Sequence, residues 1–235
     1  MLTETAESSL QSEVGAVNRL CKNRYLSGKM TPEADSTHCR TSRAKERTMT
    51  LEKNNALILP IDQDTELRLV DKNHTVEFLT LIDRSRDYLR EWLAWLDITR
   101  TPHDLENFLE RSQREFEQKQ SYALWIQHRQ SIVGIIHLRE IDRANRKAMI
   151  GYWVGQEFRG RGFAKKATKA ICDFAFEELK LNRLEIRCAA GNTASQAIPI
   201  SLGFLREGTL RQNEWLYDHF VDHLVFSMLV SDWKA

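Results

Sequence analysis

Apolar positions along this chain follow two rhythms. Over Thr65–Val70 leucines alternate with charged residues, Leu67 and Leu69 against Glu66 and Arg68, which is the period of a half-buried strand. His74–Leu96 places Val76, Leu79, Ile82, Leu89 and Leu93 near one helical face. Thr101-Pro102-His103-Asp104 then supplies a cap and a first-turn proline for a helix reaching about Lys119. Tyr122–Gln127 and Ile132–Ile141 read as a hairpin across the polar stretch His128–Ser131, and Lys147–Val154 as a further strand. Gly162–Leu179 returns to helical spacing: Ala164, Ala167, Ile171, Phe174 and Ala175 face inward, Lys165, Lys166, Lys169 and Asp173 outward. Arg183–Ala189 is a strand, Thr193–Leu202 a helix, and Phe204–Glu214 and Phe220–Val230 are closing strands. The order βααβββαβαββ predicts an α/β fold, a mixed sheet with helices packed on it.

Residues 1–50 have neither rhythm. Ser, Thr, Glu, Arg and Lys dominate there, and the apolar clusters are short. Such a segment buries too little surface to offset its ordering entropy. It is expected to be a disordered extension, with a weak helix near Glu13–Asn23 at most, ahead of a domain over about 55–235. Met49 is an alternative start that would make the upstream residues no part of the protein. Those 50 residues carry 8 basic and 6 acidic side chains, and the remainder 26 and 27. A net charge of +1 gives no global field toward nucleic acid or anionic lipid. The longest apolar runs, such as Ala56–Ile61, fall far short of the roughly 20 residues of a membrane span. The acidic start Met-Leu-Thr-Glu-Thr-Ala-Glu is unlike a secretion signal. Cys21, Cys39, Cys172 and Cys188 are too few and too scattered for a disulfide framework, so the expectation is a reduced, cytoplasmic protein. The seven histidines show no metal-ligand spacing, and no metal is expected.

The stretch Tyr152-Trp153-Val154-Gly155-Gln156-Glu157-Phe158-Arg159-Gly160-Arg161-Gly162-Phe163-Ala164 follows a strand and opens a helix. Glycines there let backbone approach an anion, and the free N–H groups of the first helical turn point at it. No Gly-Lys-Ser/Thr ends the stretch, and Ala164-Lys165 breaks the spacing of a dinucleotide fingerprint.

Arg159-x-x-Gly162-x-Ala164 resembles the acetyl-CoA pyrophosphate loop of the GNAT superfamily of N-acetyltransferases. Asn192-x-x-Ser195 followed by Leu202-Gly203-Phe204 is similar to that superfamily too. With Ile150-Gly151-Tyr152-Trp153-Val154 upstream, the chain resembles the branch that acetylates N-termini of ribosomal proteins at serine or alanine, over about residues 65–230. The resemblance implies a largely antiparallel sheet, splayed at the acetyl-CoA site and flanked by helices. It implies that the strand ending at Trp153 and Val154 offers a free edge to pantetheine. It also implies that Arg159, Gly160, Arg161, Gly162, Phe163 and Ala164 hold the pyrophosphate, and that Asn192 and Ser195 lie near the thioester. Asn192 reads either as a helix cap alone or as a cap that also touches the cofactor.

Acyl transfer to an amine needs a neutral amine, a polarised carbonyl and a proton for the leaving thiolate. Many members of the superfamily place a tyrosine four residues before the Gly-Phe glycine; that position here is Pro199. The resemblance assigns the thiolate's proton to Ser195, which reads also as a hydroxyl bonded to its own helix's first turn. It assigns the base to Glu214, in Asn213-Glu214-Trp215, which reads also as a solvated strand-end residue; Glu207 and Glu185 are weaker candidates. The helix region Tyr88–Leu96 resembles the wall of the substrate groove. Trp92 and Trp95, three apart, are expected on one helical face and read equally as core; Trp215 and Tyr217 are expected to complete the groove. Neutralising an α-amine (pKa about 7.7–8.0) at pH 7 costs about 1 kcal/mol, and a lysine (about 10.4) more than 4 kcal/mol, so one modest base suits an α-amine. The implied activity is acetyl transfer from acetyl-CoA to a protein N-terminus by direct attack in a ternary complex, by a monomer or homodimer. The alternatives are a small-molecule amine acetyltransferase, for a polyamine, an amino acid derivative or an antibiotic, and a non-catalytic acetyl-CoA sensor.

Overall fold

The computed structural model describes residues 50–51 and 57–233. The expected extension, apart from Thr50, and the weak helix at Glu13–Asn23 lie outside the described residues. The described chain forms one nine-stranded sheet in the order β1-β2-β3-β4-β5-β6-β7-β9-β8. Its strands are β1 (Thr50–Leu51), β2 (Leu57–Pro60), β3 (Thr65–Leu69), β4 (Tyr122–His128), β5 (Ser131–Asp142), β6 (Lys147–Val154), β7 (Arg183–Ala189), β8 (Leu205–Leu216) and β9 (His219–Leu229). Every neighbouring pair is antiparallel except β6–β7. The helices are α1 (Thr75–Arg90), α2 (Pro102–Glu117), α3 (Phe163–Glu177) and α4 (Thr193–Ser201). Among the described residues no helix is long and apolar enough to cross a membrane.

The central strands are covered on both faces, which is why β4 is buried almost throughout. On one face Ala167, Ile171, Phe174 and Ala175 of α3 join Ile136, Leu138, Ala148, Ile150, Leu184 and Ile186 in a single core. On the other, Phe78, Leu81 and Ile82 of α1 and Leu105 and Leu109 of α2 pack with Ala123, Trp125, Ile132 and Ile135. The start of α2 follows the expected chemistry. Thr101 accepts from the Asp104 N–H, Asp104 accepts from the Thr101 N–H, and Pro102 sits in the first turn. Arg129 and Gln130 both adopt positive φ in the β4–β5 turn, the backbone of a tight primed hairpin.

Two expectations change. Leu57–Pro60 is a sheet strand, and Thr50–Leu51 pairs with it, so the sheet reaches upstream of the expected domain start. The helix expected to run to Leu96 ends at Arg90, and a 3-10 helix follows at Ala94–Ile98. Leu93 between them is extended (φ −132°, ψ 94°), which swings Leu96 into full burial. Arg86 holds the break by donating to the carbonyls of Leu96 and Thr99, and Arg90 does so through a forked pair with Asp97. Trp92 and Trp95 therefore do not share a helical face.

Candidate active site

β6 and β7 pair only over Lys147–Ile150 and Arg183–Ile186. Beyond that point Gly151–Val154 stays with β5, and Arg187–Ala189 stays with β9. The sheet therefore opens into a V, and a cavity of about 620 Å³ occupies the gap. Its walls come from the end of α1, from the free stretch of β6, from the turn into α3 and from the start of α4.

The turn into α3 is built by glycine conformation. Gly160 and Gly162 have φ of 71° and 79°, a region where other residues are strained. A Cβ at either would meet nothing within 4 Å, so the demand is conformational and the space above the turn is open. Gly162 caps α3 without offering any side-chain acceptor. The first-turn N–H groups of Phe163, Ala164 and Lys165 thus keep no capping partner and face the cavity with the helix dipole behind them. Two anchors hold this turn to α1. Gln156 N–H donates to the buried Ser85 hydroxyl at 3.0 Å, and a Cβ on Gly155 would come within 2.5 Å of Leu81. Arg159 stacks its guanidinium 4.2 Å over the Tyr88 ring, and Arg161 lies 5.7 Å over Phe158. The site suits a polyanion.

Hydroxyl and thiol groups meet on the far wall. Asn192 Oδ1 accepts from the Ser195 N–H at 3.0 Å, so it is a cap, and it also lines the cavity. Tyr152 donates its hydroxyl to the Ser195 carbonyl at 2.9 Å and lies 3.5 Å from Ser195 Oγ, which is 3.3 Å from Cys188 Sγ. Burial pushes the Tyr152 phenol, the Cys188 thiol and the Cys172 thiol upward from their ordinary values. Tyr152 was not among the expected site residues. Its slot in the alternation Ala148-Ile150-Tyr152-Val154 is a core slot, and at the splay Tyr152 becomes a cavity-lining residue. Pro199, where many superfamily members would carry a tyrosine, is buried inside α4.

The tryptophans divide. Trp92 lines the cavity, its ring 3.2 Å from where a Gly191 Cβ would lie, so it leans across to the β7–α4 turn. Trp95 packs with the second core, 6.4 Å from the Trp153 ring. Trp215 is 54% exposed, stacks edge-on with Phe220 at 4.8 Å, and is not a cavity residue. The tip of the β8–β9 hairpin nevertheless reaches the cavity's rim. Tyr217 donates its hydroxyl to the Leu93 carbonyl at 3.2 Å, and Arg90 lies 4.1 Å over the Tyr217 ring.

Glu214, on the opposite face of that hairpin from Trp215, is outside the cavity lining, with Oε2 3.1 Å from His223 Nε2. Asn213 Nδ2 is 2.9 Å from His223 Nδ1. Glu207 and Glu185 are tied to Arg183. The guanidinium beside Glu207 lowers its carboxyl to about 2, which makes it a poor base. Among the described residues no three His, Cys, Asp or Glu side chains gather as a metal site.

The family model of the acetyltransferase (GNAT) domain matches residues 65–205. YdaF of Bacillus subtilis (strain 168), whose name provisionally assigns it ribosomal N-acetyltransferase activity, is 30% identical over 179 residues, 74% of this chain and 96% of its own. The ribosomal-protein-serine acetyltransferase of Escherichia coli (strain K12) is 24% identical over 73% of this chain and 96% of its own. Among solved structures, the microcin C7 self-immunity acetyltransferase MccE, in complex with acetyl-CoA and AMP, aligns with a TM-score of 0.70 at 25% identity, covering 73% of this chain and 96% of its own. RimL, a ribosomal L7/L12 α-N-protein acetyltransferase in complex with coenzyme A, aligns at 0.72 and 22% identity over 74% of this chain and 99% of its own, a likeness of fold.

Proposed function

The chain belongs to the GNAT acetyltransferases and is an N-acetyltransferase; from that premise we propose that it acetylates the N-terminal α-amine of a protein, with acetyl-CoA as donor, by direct attack in a ternary complex. The observation that carries this reading is the opening of β6 from β7 directly above an uncapped helix start. In it, the N–H groups from Arg159 to Ala164 bind the pyrophosphate, with Arg159, Arg161 and Lys165 supplying positive charge. The free edge of Gly151–Val154, with Trp153 and Val154 at its end, accepts the pantetheine amides as an added strand. Asn192 and Ser195 then stand beside the thioester.

Trp92 is the wall against which the acceptor lies, while Trp95 packs in the second core beside Trp153, which also lines the cavity. Trp215 extends the acceptor surface outside the cavity, on the hairpin whose tip touches Leu93. Glu214, paired with His223 on the β8–β9 hairpin, serves the ammonium form of the acceptor. An α-ammonium must surrender one proton before attack, at about 1 kcal/mol at pH 7, against more than 4 kcal/mol for lysine. Relatives named for ribosomal N-acetyltransfer support the choice of a protein N-terminus.

The test uses the full chain, acetyl-CoA and two peptides, read by mass spectrometry. One has a free N-terminal serine and no lysine; the other has a blocked N-terminus and an internal lysine. One added acetyl group on the first peptide alone is expected. Acetylation of the lysine peptide alone, or of small amines with neither peptide modified, overturns the α-amine reading. Stabilisation by acetyl-CoA with no turnover on any amine would mark a sensor.

A further inference from the structure

Where β6 and β7 part, protonatable groups from three elements converge: the Tyr152 hydroxyl from β6, Ser195 Oγ from α4 and Cys188 Sγ from β7. Tyr152 and Ser195 face the cavity, whereas Cys188 is buried behind them. Burial disfavours a phenolate at Tyr152. A hydroxyl in that setting is a poor terminal acid or base. It can pass a proton on only while receiving another.

We propose that Tyr152 is a catalytic residue which, with Ser195, forms a two-hydroxyl shuttle carrying the acceptor amine's proton to the departing CoA sulfur. The proposal rests on the reading of the cavity as an N-acetyl transfer site. The nitrogen of the neutral amine bonds the acetyl carbon, the carbon–sulfur bond breaks and sulfur keeps its electron pair. Nitrogen must then lose one proton and sulfur gain one. The amine's proton passes to the Tyr152 oxygen, the Tyr152 proton to Ser195 Oγ, and the Ser195 proton to sulfur. Both hydroxyls end neutral, as they began. Two hydroxyls must turn first: the Tyr152 O–H from the Ser195 carbonyl, 2.9 Å away, toward Ser195 Oγ, and the Ser195 O–H, which donates to the Tyr152 oxygen at 3.5 Å, toward sulfur. A phenol thus reaches the reaction from β6, while α4 carries Pro199 where superfamily relatives place a tyrosine. Cys188 keeps its proton and holds Ser195 Oγ in place at 3.3 Å.

Tyr152→Phe preserves the ring that lines the cavity, and Ser195→Ala removes the second hydroxyl. In single-turnover acetyl transfer by the full chain, each should be at least tenfold slower while its acetyl-CoA Kd stays within twofold. Because the two hydroxyls act as one unit, the double variant should be no slower than the slower single variant. The discriminating readout is the rate in H₂O–D₂O mixtures. Wild type should curve with deuterium fraction, as several moving protons require, and Tyr152→Phe should become linear. If Tyr152→Phe fails to fold by thermal melting, Ser195→Ala must show the same loss of curvature. A Tyr152→Phe rate within twofold of wild type, or a slow variant that keeps wild-type curvature, overturns the shuttle. A wild-type chain that acetylates no amine overturns the parent reading and the shuttle with it.

Discussion

The two halves of the β6–β7 pair are both strand and have opposite fates. Lys147–Ile150 pairs with Arg183–Ile186 and closes the sheet over the first core, to which Ala148, Ile150, Leu184 and Ile186 belong. Gly151–Val154 and Arg187–Ala189, equally strand-forming, separate. Neither splayed segment is loose, because each retains a full ladder to its outer neighbour, His137–Gly134 of β5 or Val225–His223 of β9. The site is thus an absence of pairing held open by rigid pairing on either side. Backbone groups left over in such a gap seek a partner, and this is the physical basis for reading the gap as a binding edge.

The strongest way to break the comparison is to disturb the ladder that holds the splayed half of β6. A Cβ at Gly134 would collide with the Trp153 carbonyl and lie 2.9 Å from Val154 Cα. Both obstacles are backbone, so neither yields cheaply. Gly134→Val should cost about 3 kcal/mol of stability or more, by the scale of overpacked cores, and should also lose acetyl-CoA binding. Denaturant unfolding and a ligand-induced shift in Tm read the two effects. Wild-type stability in this variant would mean that β6 is not pinned to β5 at the splay.

A smaller perturbation leaves the ladder alone and alters only the turn below the gap. At Gly162 the obstacle is conformation, since φ is 79° and no atom would meet a Cβ within 4 Å. Alanine in that left-handed region is strained by roughly 1–2 kcal/mol. The strain can be relieved by rotating the turn, which misdirects the Phe163, Ala164 and Lys165 N–H groups. Gly162→Ala should therefore weaken acetyl-CoA binding tenfold or more, measured by titration calorimetry, while moving Tm by only a few degrees. Equal losses in both would make Gly162 a folding residue and not part of an anion site.

How much of this could be read in the chain follows the same division. Elements with their own periodicity, such as β6, α3 and the capped start of α2, are legible because local sterics and one buried face determine them. The glycine turn is legible because positive φ demands glycine. The splay is not, since the alternation of Gly151–Val154 continues as if a partner were present; pairing depends on what lies across the gap. Tyr152 was hidden for that reason, a polar group in an apolar slot. The end of α1 was hidden because Leu93 leaves the helix under the pull of Leu96 toward the core and of Arg86 and Arg90 on carbonyls and carboxylate beyond it. That break separates Trp92, on the cavity wall, from Trp95, in the core. The strand Leu57–Pro60 lay in an apolar run too short to show a period.

The smallest expected effect concerns the β8–β9 hairpin, where Glu214 sits outside the cavity lining against His223. An α-ammonium loses two protons on acetylation, one to the medium before attack and one to sulfur afterwards. If Tyr152 and Ser195 handle the second, Glu214 is needed only for the first. Glu214→Gln keeps an oxygen for His223 but accepts no proton. At pH 7 it should reduce turnover about tenfold with acetyl-CoA affinity unchanged. As pH rises past the amine's own pKa, near 8, the acceptor arrives neutral and the base becomes superfluous. The wild-type advantage should then shrink toward unity in a pH–rate profile. An unchanged rate at pH 7 would remove Glu214 from the mechanism. A tenfold gap that persists to pH 9 would place its action on the second proton, and the division of labour between the hairpin and the splay would be lost.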